Sequence, residues 1–163
     1  MPSPDSSSHF TTRLERTPLI GALLRVPWEV VRGRMLERLH AAGFDDLEPP
    51  HLNVLQYPGP DGTRPSELAA RLRVSKQALN YLLGQLERLG YLERVTDPDD
   101  LRAKRIQVTA RANAAIEVIR AAVRELEREW ERALGAERFA LLRGLLAELA
   151  SQPVELPASE SER

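Results

Sequence analysis

Residues 63–109 read TRPSELAARLRVSKQALNYLLGQLERLGYLERVTDPDDLRAKRIQVT, and every joint in this stretch carries a local signal. Pro65, well suited to a first helical position, opens a short helix with Leu68, Ala69 and Leu72 on its buried side, and Glu67 complements the positive pole of its first turn. Arg73-Val74 forms a turn. Ser75 is a good N-cap for a second helix that runs to Leu89 and is closed by Gly90. That helix directs Leu79, Leu82, Leu83, Leu86 and Leu89 inward and presents Lys76, Gln77, Asn80, Tyr81, Gly84, Gln85 and Arg88 on its other face. Tyr91 to Thr96 has the β-branched and aromatic content of a strand, with Arg105 to Val108 as its partner. The charged loop between them, Asp97 to Arg105, carries Arg102 near its tip. Helix, turn, helix and two-stranded wing, in that order, read as a winged helix-turn-helix.

On the C-terminal side, Thr109 caps a long helix in which Ile116, Ile119, Val123, Leu126, Trp130 and Ala133 recur at alternating intervals of three and four. That is the narrow seam of helix pairing, and it calls for a partner surface that one small lobe cannot supply. Gly135 ends this helix, and Ala136 to Ala150 forms another with Phe139, Leu142, Leu146 and Leu149. On the N-terminal side, Thr17-Pro18 looks like an N-cap followed by proline at the first helical position. Leu19, Ile20, Leu23, Leu24, Trp28, Val31, Met35 and Leu39 then form an apolar stripe, Pro27 is expected to kink or divide the helix, and Gly43 ends it. A connector leads to a short helix over His51 to Tyr57 with Leu52, Val54 and Leu55 inward, and residues 58–62 form a turn. Residues 1–16 read as a mobile arm and 151–163 as a disordered tail. The expected fold is mainly α with a small β-hairpin (α+β): a domain over 17–150, with helices at 17–43 and 109–150 flanking a winged helix-turn-helix lobe at 51–108.

Composition narrows the function. The chain has 163 residues, of which 42% are hydrophobic, enough for a real core. It contains no cysteine, which excludes disulfides, thiolate-zinc sites and cysteine redox sensing. The first eighteen residues lack the apolar core of a signal peptide, and no run approaches a membrane span, so the expected setting is cytoplasmic. A net charge of −1 argues against indiscriminate coating of nucleic acid. Yet residues 64–105 hold nine Lys/Arg against six Asp/Glu. His40 and His51 lie at no metal-ligand spacing, the Asp97, Asp99, Asp100 cluster is unlike a calcium loop, and no catalytic constellation, cofactor motif or phosphate loop occurs.

With these elements in place, the chain resembles the MarR family of dimeric winged helix-turn-helix transcriptional regulators over roughly Thr17 to Ala150. The most specific parts are Ser75-Lys76-Gln77-Ala78-Leu79-Asn80-Tyr81-Leu82, then Leu86 to Arg94, then Asp97-Pro98-x-Asp100-x-Arg102-Ala103-Lys104 leading to Val108-Thr109. The resemblance implies that double-stranded DNA and a second copy of the chain are partners. The helix from Ser75 would enter the major groove through Ser75, Lys76, Gln77, Asn80 and Tyr81; Arg102, with Lys104 and Arg105, would serve the wing in the minor groove, and Asp100 would brace the wing arginine. It further implies a dimer interface drawn from Leu19, Leu23, Ile116, Ile119, Val123, Leu126, Trp130, Phe139, Leu142 and Leu146. An effector pocket for a small molecule would lie near Trp28, Arg32, His51 and Tyr57. Two positions depart from the family pattern: Leu101 and Ala112 stand where glycine is usual.

Each feature also has a plainer reading. The polar helix face could be only solvated, Arg102, Lys104 and Arg105 could be ordinary strand-edge charges, Trp28 could be a dimer-core residue and His51 a helix-start residue. The alternative function is a winged-helix protein-interaction module without sequence-specific DNA binding. An enzyme, such as the dimerising lobe of a methyltransferase, fits least, since the chain leaves no room for a cofactor domain.

Overall fold

The computed structural model describes residues 18–55 and 62–152, so the expected arm, most of the tail, Tyr57 and the turn at 58–61 lie outside the described residues. Among the described residues, six helices and one hairpin follow in order: α1 Ile20–Ala41, α2 Pro49–Leu55, α3 Pro65–Leu72, α4 Lys76–Arg88, β1 Leu92–Thr96, β2 Lys104–Val108, α5 Ala110–Leu134 and α6 Ala136–Ser151.

Two N-terminal expectations are corrected. Helix α1 does not start on Pro18: Leu19 stays extended as the N-cap, and its carbonyl accepts from the Ala22 and Leu23 amides. Nor does Pro27 divide it, for α1 is one helix across that residue. The proline sits among residues 21–30, all exposed, where the carbonyl it leaves without a helical donor is open to solvent.

Helix α1 runs antiparallel to α5. Arg34 donates to both carboxylate oxygens of Glu129 at 2.9 and 3.2 Å, and four residues on, Arg38 reaches Glu125 at 2.7 Å. Such half-exposed pairs stabilise modestly; they set register more than they hold the helices together. Burial does the holding. The stripe of α5 buried inside the protomer is Ala112, Ala115, Ile119, Ala122 and Leu126. This corrects the expected seam. The same three-four rhythm admits a second frame, offset by one alanine-lined edge, and the protomer itself covers Ile119 and Leu126 while Ile116, Val123 and Trp130 remain half-buried at the border.

A single apolar cluster joins the C-terminal half of α1 (Met35, Leu39) to Leu47, α2, α3, the inner face of α4 and the start of α5. The hairpin pairs Leu92 with Val108 through Thr96 with Lys104, antiparallel. A third strip, unforeseen in the sequence, joins it. Thr63 exchanges backbone hydrogen bonds with Ile106 at 3.0 and 2.9 Å, which anchors the chain entering α3 to the wing. Gly62 permits this approach: its φ is +77°, and a Cβ there would stand 2.9 Å from the Gln107 side chain and 3.0 Å from the Ile106 carbonyl oxygen. Gly135, also at positive φ, separates α5 from α6.

Candidate nucleic-acid interface

The expected reading helix is built as its sequence demands. The Ser75 hydroxyl accepts from the Ala78 amide at 3.1 Å, satisfying one of the donors left unpaired at the start of α4. Leu79, Leu83 and Leu86 are buried, Leu82 and Leu89 half-buried. On the opposite side Lys76, Gln77, Asn80 and Tyr81 are all exposed, Tyr81 at 66%. Helix α3 leads into α4 through Arg73, whose backbone is left-handed at φ +54°, a conformation that makes the turn tight. Ser75→Ala removes the cap and is expected to cost about 1 kcal/mol, lowering Tm by roughly 2–4 °C in thermal unfolding followed by circular dichroism. An unchanged Tm would mean that this cap does not hold the helix.

The wing is organised by Asp97, whose side chain is fully buried. Its Oδ2 accepts from Arg64 Nε at 2.6 Å and its Oδ1 from the Asp99 amide at 2.9 Å. Arg105 Nε lies 3.1 Å from the same Oδ2 but out of hydrogen-bonding alignment, so charge alone holds it, while its Nη2 pairs with Asp99 at 3.1 Å. The hydrogen bond from Arg64, with the Asp99 amide and Arg105 beside it, holds the Asp97 carboxyl well below the usual carboxylate range against the opposing effect of burial. Across the loop, the Asp97 amide donates to the Ala103 carbonyl at 3.1 Å and the Ala103 amide to the Asp100 carbonyl at 2.8 Å.

The expected brace is thereby redistributed. Asp100 does hold the wing arginine, but through its backbone: Oδ1 accepts from the Arg102 amide at 3.0 Å. The Arg102 guanidinium has no ion-pair partner among the described residues, and it stands exposed beside Leu101, itself 80% exposed. Lys104 reaches across the hairpin to the Thr96 hydroxyl at 3.0 Å. Arg105, expected with Arg102 as an outward charge, instead faces into the wing. Asp97 and Asp100 each accept from the amide two residues on, so this local pattern is shared and does not by itself single out the anchor.

A second polar cluster, missed in the sequence, fastens the lobe to the long helices. Tyr91 is fully buried; its hydroxyl donates to Asp46 at 2.6 Å, and Arg111 donates to Asp46 at 2.8 Å and to the Leu89 carbonyl at 2.8 Å. The Arg111 guanidinium also stands 4.5 Å from the centroid of the Tyr91 ring. Burial, reinforced by the adjacent Asp46 carboxylate, pushes the Tyr91 phenol up to about 12. One knot thus ties the α1–α2 connector, the C-terminal end of α4 and the start of α5.

The other expected positions divide. His51 is buried, with both ring nitrogens engaged: Glu48 donates its amide to Nδ1 at 3.1 Å, and Nε2 lies 3.3 Å from Gln85 Oε1. Trp28 and Arg32 are exposed on α1. Leu19, Leu23, Leu142 and Leu146 lie on the protomer surface, whereas Phe139, expected with them, is buried in the angle between α5 and α6.

A capped helix with an exposed polar face, a wing beside it and long flanking helices define a winged helix-turn-helix fold. Residues 45–103, from the connector through the wing, match the MarR family model. The reduced form of MarR from E. coli superposes with a TM-score of 0.68 at 27% identity, covering 83% of this chain and 98% of that one. CouR from Rhodococcus jostii RHA1, bound to p-coumaroyl-CoA, shares the fold at a TM-score of 0.65 and 22% identity over 86% and 97% of the two chains. So does a mutant of MepR from S. aureus bound to an oligodeoxyribonucleotide, at 0.55 and 21% over 82% and 97%. The winged-helix lobe thus matches the MarR family model and the fold of solved MarR-family structures, and the resemblance read from the sequence is borne out.

Proposed function

We propose that this chain is a homodimeric transcriptional repressor that reads a pseudo-palindromic operator, with α4 in the major groove and the wing along the adjacent minor groove. The observation that carries this reading is the juxtaposition of Lys76, Gln77, Asn80 and Tyr81, exposed on a capped helix, with a braced wing whose Arg102 charge is unspent. Lysine and the amides of glutamine and asparagine are the groups that pair with guanine and adenine edges, and arginine suits a narrow minor groove. The residues assigned to DNA are Ser75, Lys76, Gln77, Asn80, Tyr81, Arg102 and Lys104, with Arg105 acting through the wing. Helices α1, α5 and α6 serve as the dimerising part and residues 51–108 as the reading lobe. Two-fold symmetry then places the half-sites about 10 bp apart.

The dimer reading is supported by the apolar side chains that the protomer leaves uncovered on α1 and α6, Leu23, Leu142 and Leu146 among them. Release by a small molecule is proposed by analogy with the ligand-bound relative, with Trp28 and Arg32 as the groups of α1 open to it and Tyr57 as a third.

Fluorescence anisotropy with the duplex flanking the chain's own gene tests the proposal: binding should be sequence-selective and weaken steeply with salt. Arg102→Ala should weaken it roughly ten-fold, with the salt slope reduced by about one if Arg102 meets phosphate, or with the loss confined to A·T-rich flanks if it reads groove width. Salt-insensitive binding, or none at any such duplex, points instead to the protein-interaction module.

A further inference from the structure

Resting on the DNA-binding reading, we infer that Tyr81 serves as a hydrogen-bond donor to an acceptor on the DNA, its hydroxyl oriented by a relay running from the buried His51 through the half-buried Gln85. Three contacts compose the relay. The Glu48 backbone amide donates to His51 Nδ1 at 3.1 Å, His51 Nε2 meets Gln85 Oε1 at 3.3 Å, and Gln85 Nε2 donates to the Tyr81 hydroxyl oxygen at 3.3 Å.

Its polarity follows from its first member. A backbone amide can only donate, so Nδ1 must be the unprotonated nitrogen and Nε2 carries the hydrogen. That hydrogen needs an acceptor, which sets the carboxamide oxygen of Gln85 toward His51 and its NH₂ toward Tyr81. Turning the amide over would set its NH₂ against the Nε2 hydrogen; changing the tautomer to relieve that would set the Nδ1 hydrogen against the Glu48 amide. Every alternative leaves two donors facing each other at a histidine only 3% exposed, where water cannot mediate between them. The Tyr81 oxygen therefore accepts from Gln85, and its own hydrogen is left free to donate from a side chain that is exposed, as Lys76, Gln77 and Asn80 are.

The consequence is chemical selectivity. A donor matches guanine O6 or N7, adenine N7, thymine O4 or a phosphate oxygen, and it rejects the amino groups of adenine and cytosine. His51 and Gln85 touch no DNA in this scheme. They are positioning residues, and the buried histidine gains a role besides starting α2.

The test uses the full-length protein and a duplex selected by it from a random-sequence library. Tyr81→Phe should weaken binding about 3- to 10-fold, the worth of one hydrogen bond. In a Gln85→Ala background the same change should weaken it less than two-fold, because an unoriented phenol has little left to lose. His51→Ala should reproduce that coupling; Gln85→Ala, at a half-buried surface position, keeps the test decisive if the histidine variant does not fold. Replacing purines of the selected site by their 7-deaza forms, one at a time, should abolish the effect of Tyr81→Phe at a single position if the acceptor is N7. Full additivity of Tyr81→Phe and Gln85→Ala, or no effect of Tyr81→Phe in the parent protein, overturns the relay while leaving the DNA-binding reading intact. Failure to select any duplex overturns both.

Discussion

Substituting Leu142→Asp together with Leu146→Asp is expected to convert the protein from dimer to monomer, raising the dimer dissociation constant at least 100-fold, while the far-ultraviolet circular dichroism stays the same. Both leucines are substantially exposed in the protomer, at 38% and 40%, so its internal packing does not depend on them. In the proposed dimer they are buried, and a carboxylate in their place faces an apolar surface with no partner. Desolvating two such charges opposes association by several kcal/mol, and each 1.4 kcal/mol is a factor of ten. Operator affinity should fall with dimerisation, by a similar factor, since each monomer engages one half-site alone. Sedimentation velocity at micromolar concentration reads the first effect and anisotropy the second. A variant that sediments as a dimer would place the interface elsewhere than on α6.

Asp97→Asn should loosen the wing and lower Tm by roughly 5–10 °C, the scale expected when one partner of a buried ionic cluster is removed from a chain of this size. The amide retains the shape and can still accept from the Asp99 amide, but it leaves Arg64 and Arg105 pointed at a neutral group. The pH dependence follows from the sign of the shift. The folded carboxyl lies below its unfolded value of about 3.8, so its stabilisation is complete above that value and is lost as pH falls through the folded one. The difference in Tm between parent and Asp97→Asn should therefore be constant near neutrality and shrink below about pH 4. DNA binding should weaken about ten-fold, because the loop that carries Arg102 is anchored on Asp97. If Tm is unchanged near neutrality, the cluster is an ordinary surface pair rather than the anchor of the wing.

How far such features were legible depends on how local their cause is. Ser75, Gly90 and Pro65 act within a few residues of themselves, the strands carry their own β-forming composition, and all stand within a residue of where short-range rules place them. The leucine side of α4 and its polar opposite were equally clear, since helical spacing alone separates them. The packing face of α5 was not, because alanine is weakly apolar by count yet decisive where helices approach closely: Ala112, Ala115 and Ala122 selected a frame that the larger side chains concealed. Among three aspartates in the wing, only packing from Arg64, thirty-three residues earlier, distinguishes Asp97. The Thr63–Ile106 bridge and the Asp46–Tyr91–Arg111 knot join segments far apart in the chain, and no local pattern announces them. As for the candidate DNA contacts, the exposed positions on α4 could be read from helical spacing, whereas the relay behind Tyr81 needed the position of His51 on another helix.

The placement of the aromatic residues divides the molecule optically. Both tryptophans, Trp28 on α1 and Trp130 on α5, belong to the long helices, and all three tyrosines, Tyr57, Tyr81 and Tyr91, fall within residues 51–108. Intrinsic emission excited at the red edge, where only indole absorbs, therefore originates wholly outside the reading lobe. A change in that emission when DNA is added to the unlabelled protein would report movement or altered contact of the long helices proposed to join two protomers, and the natural chain already carries the probe for following it.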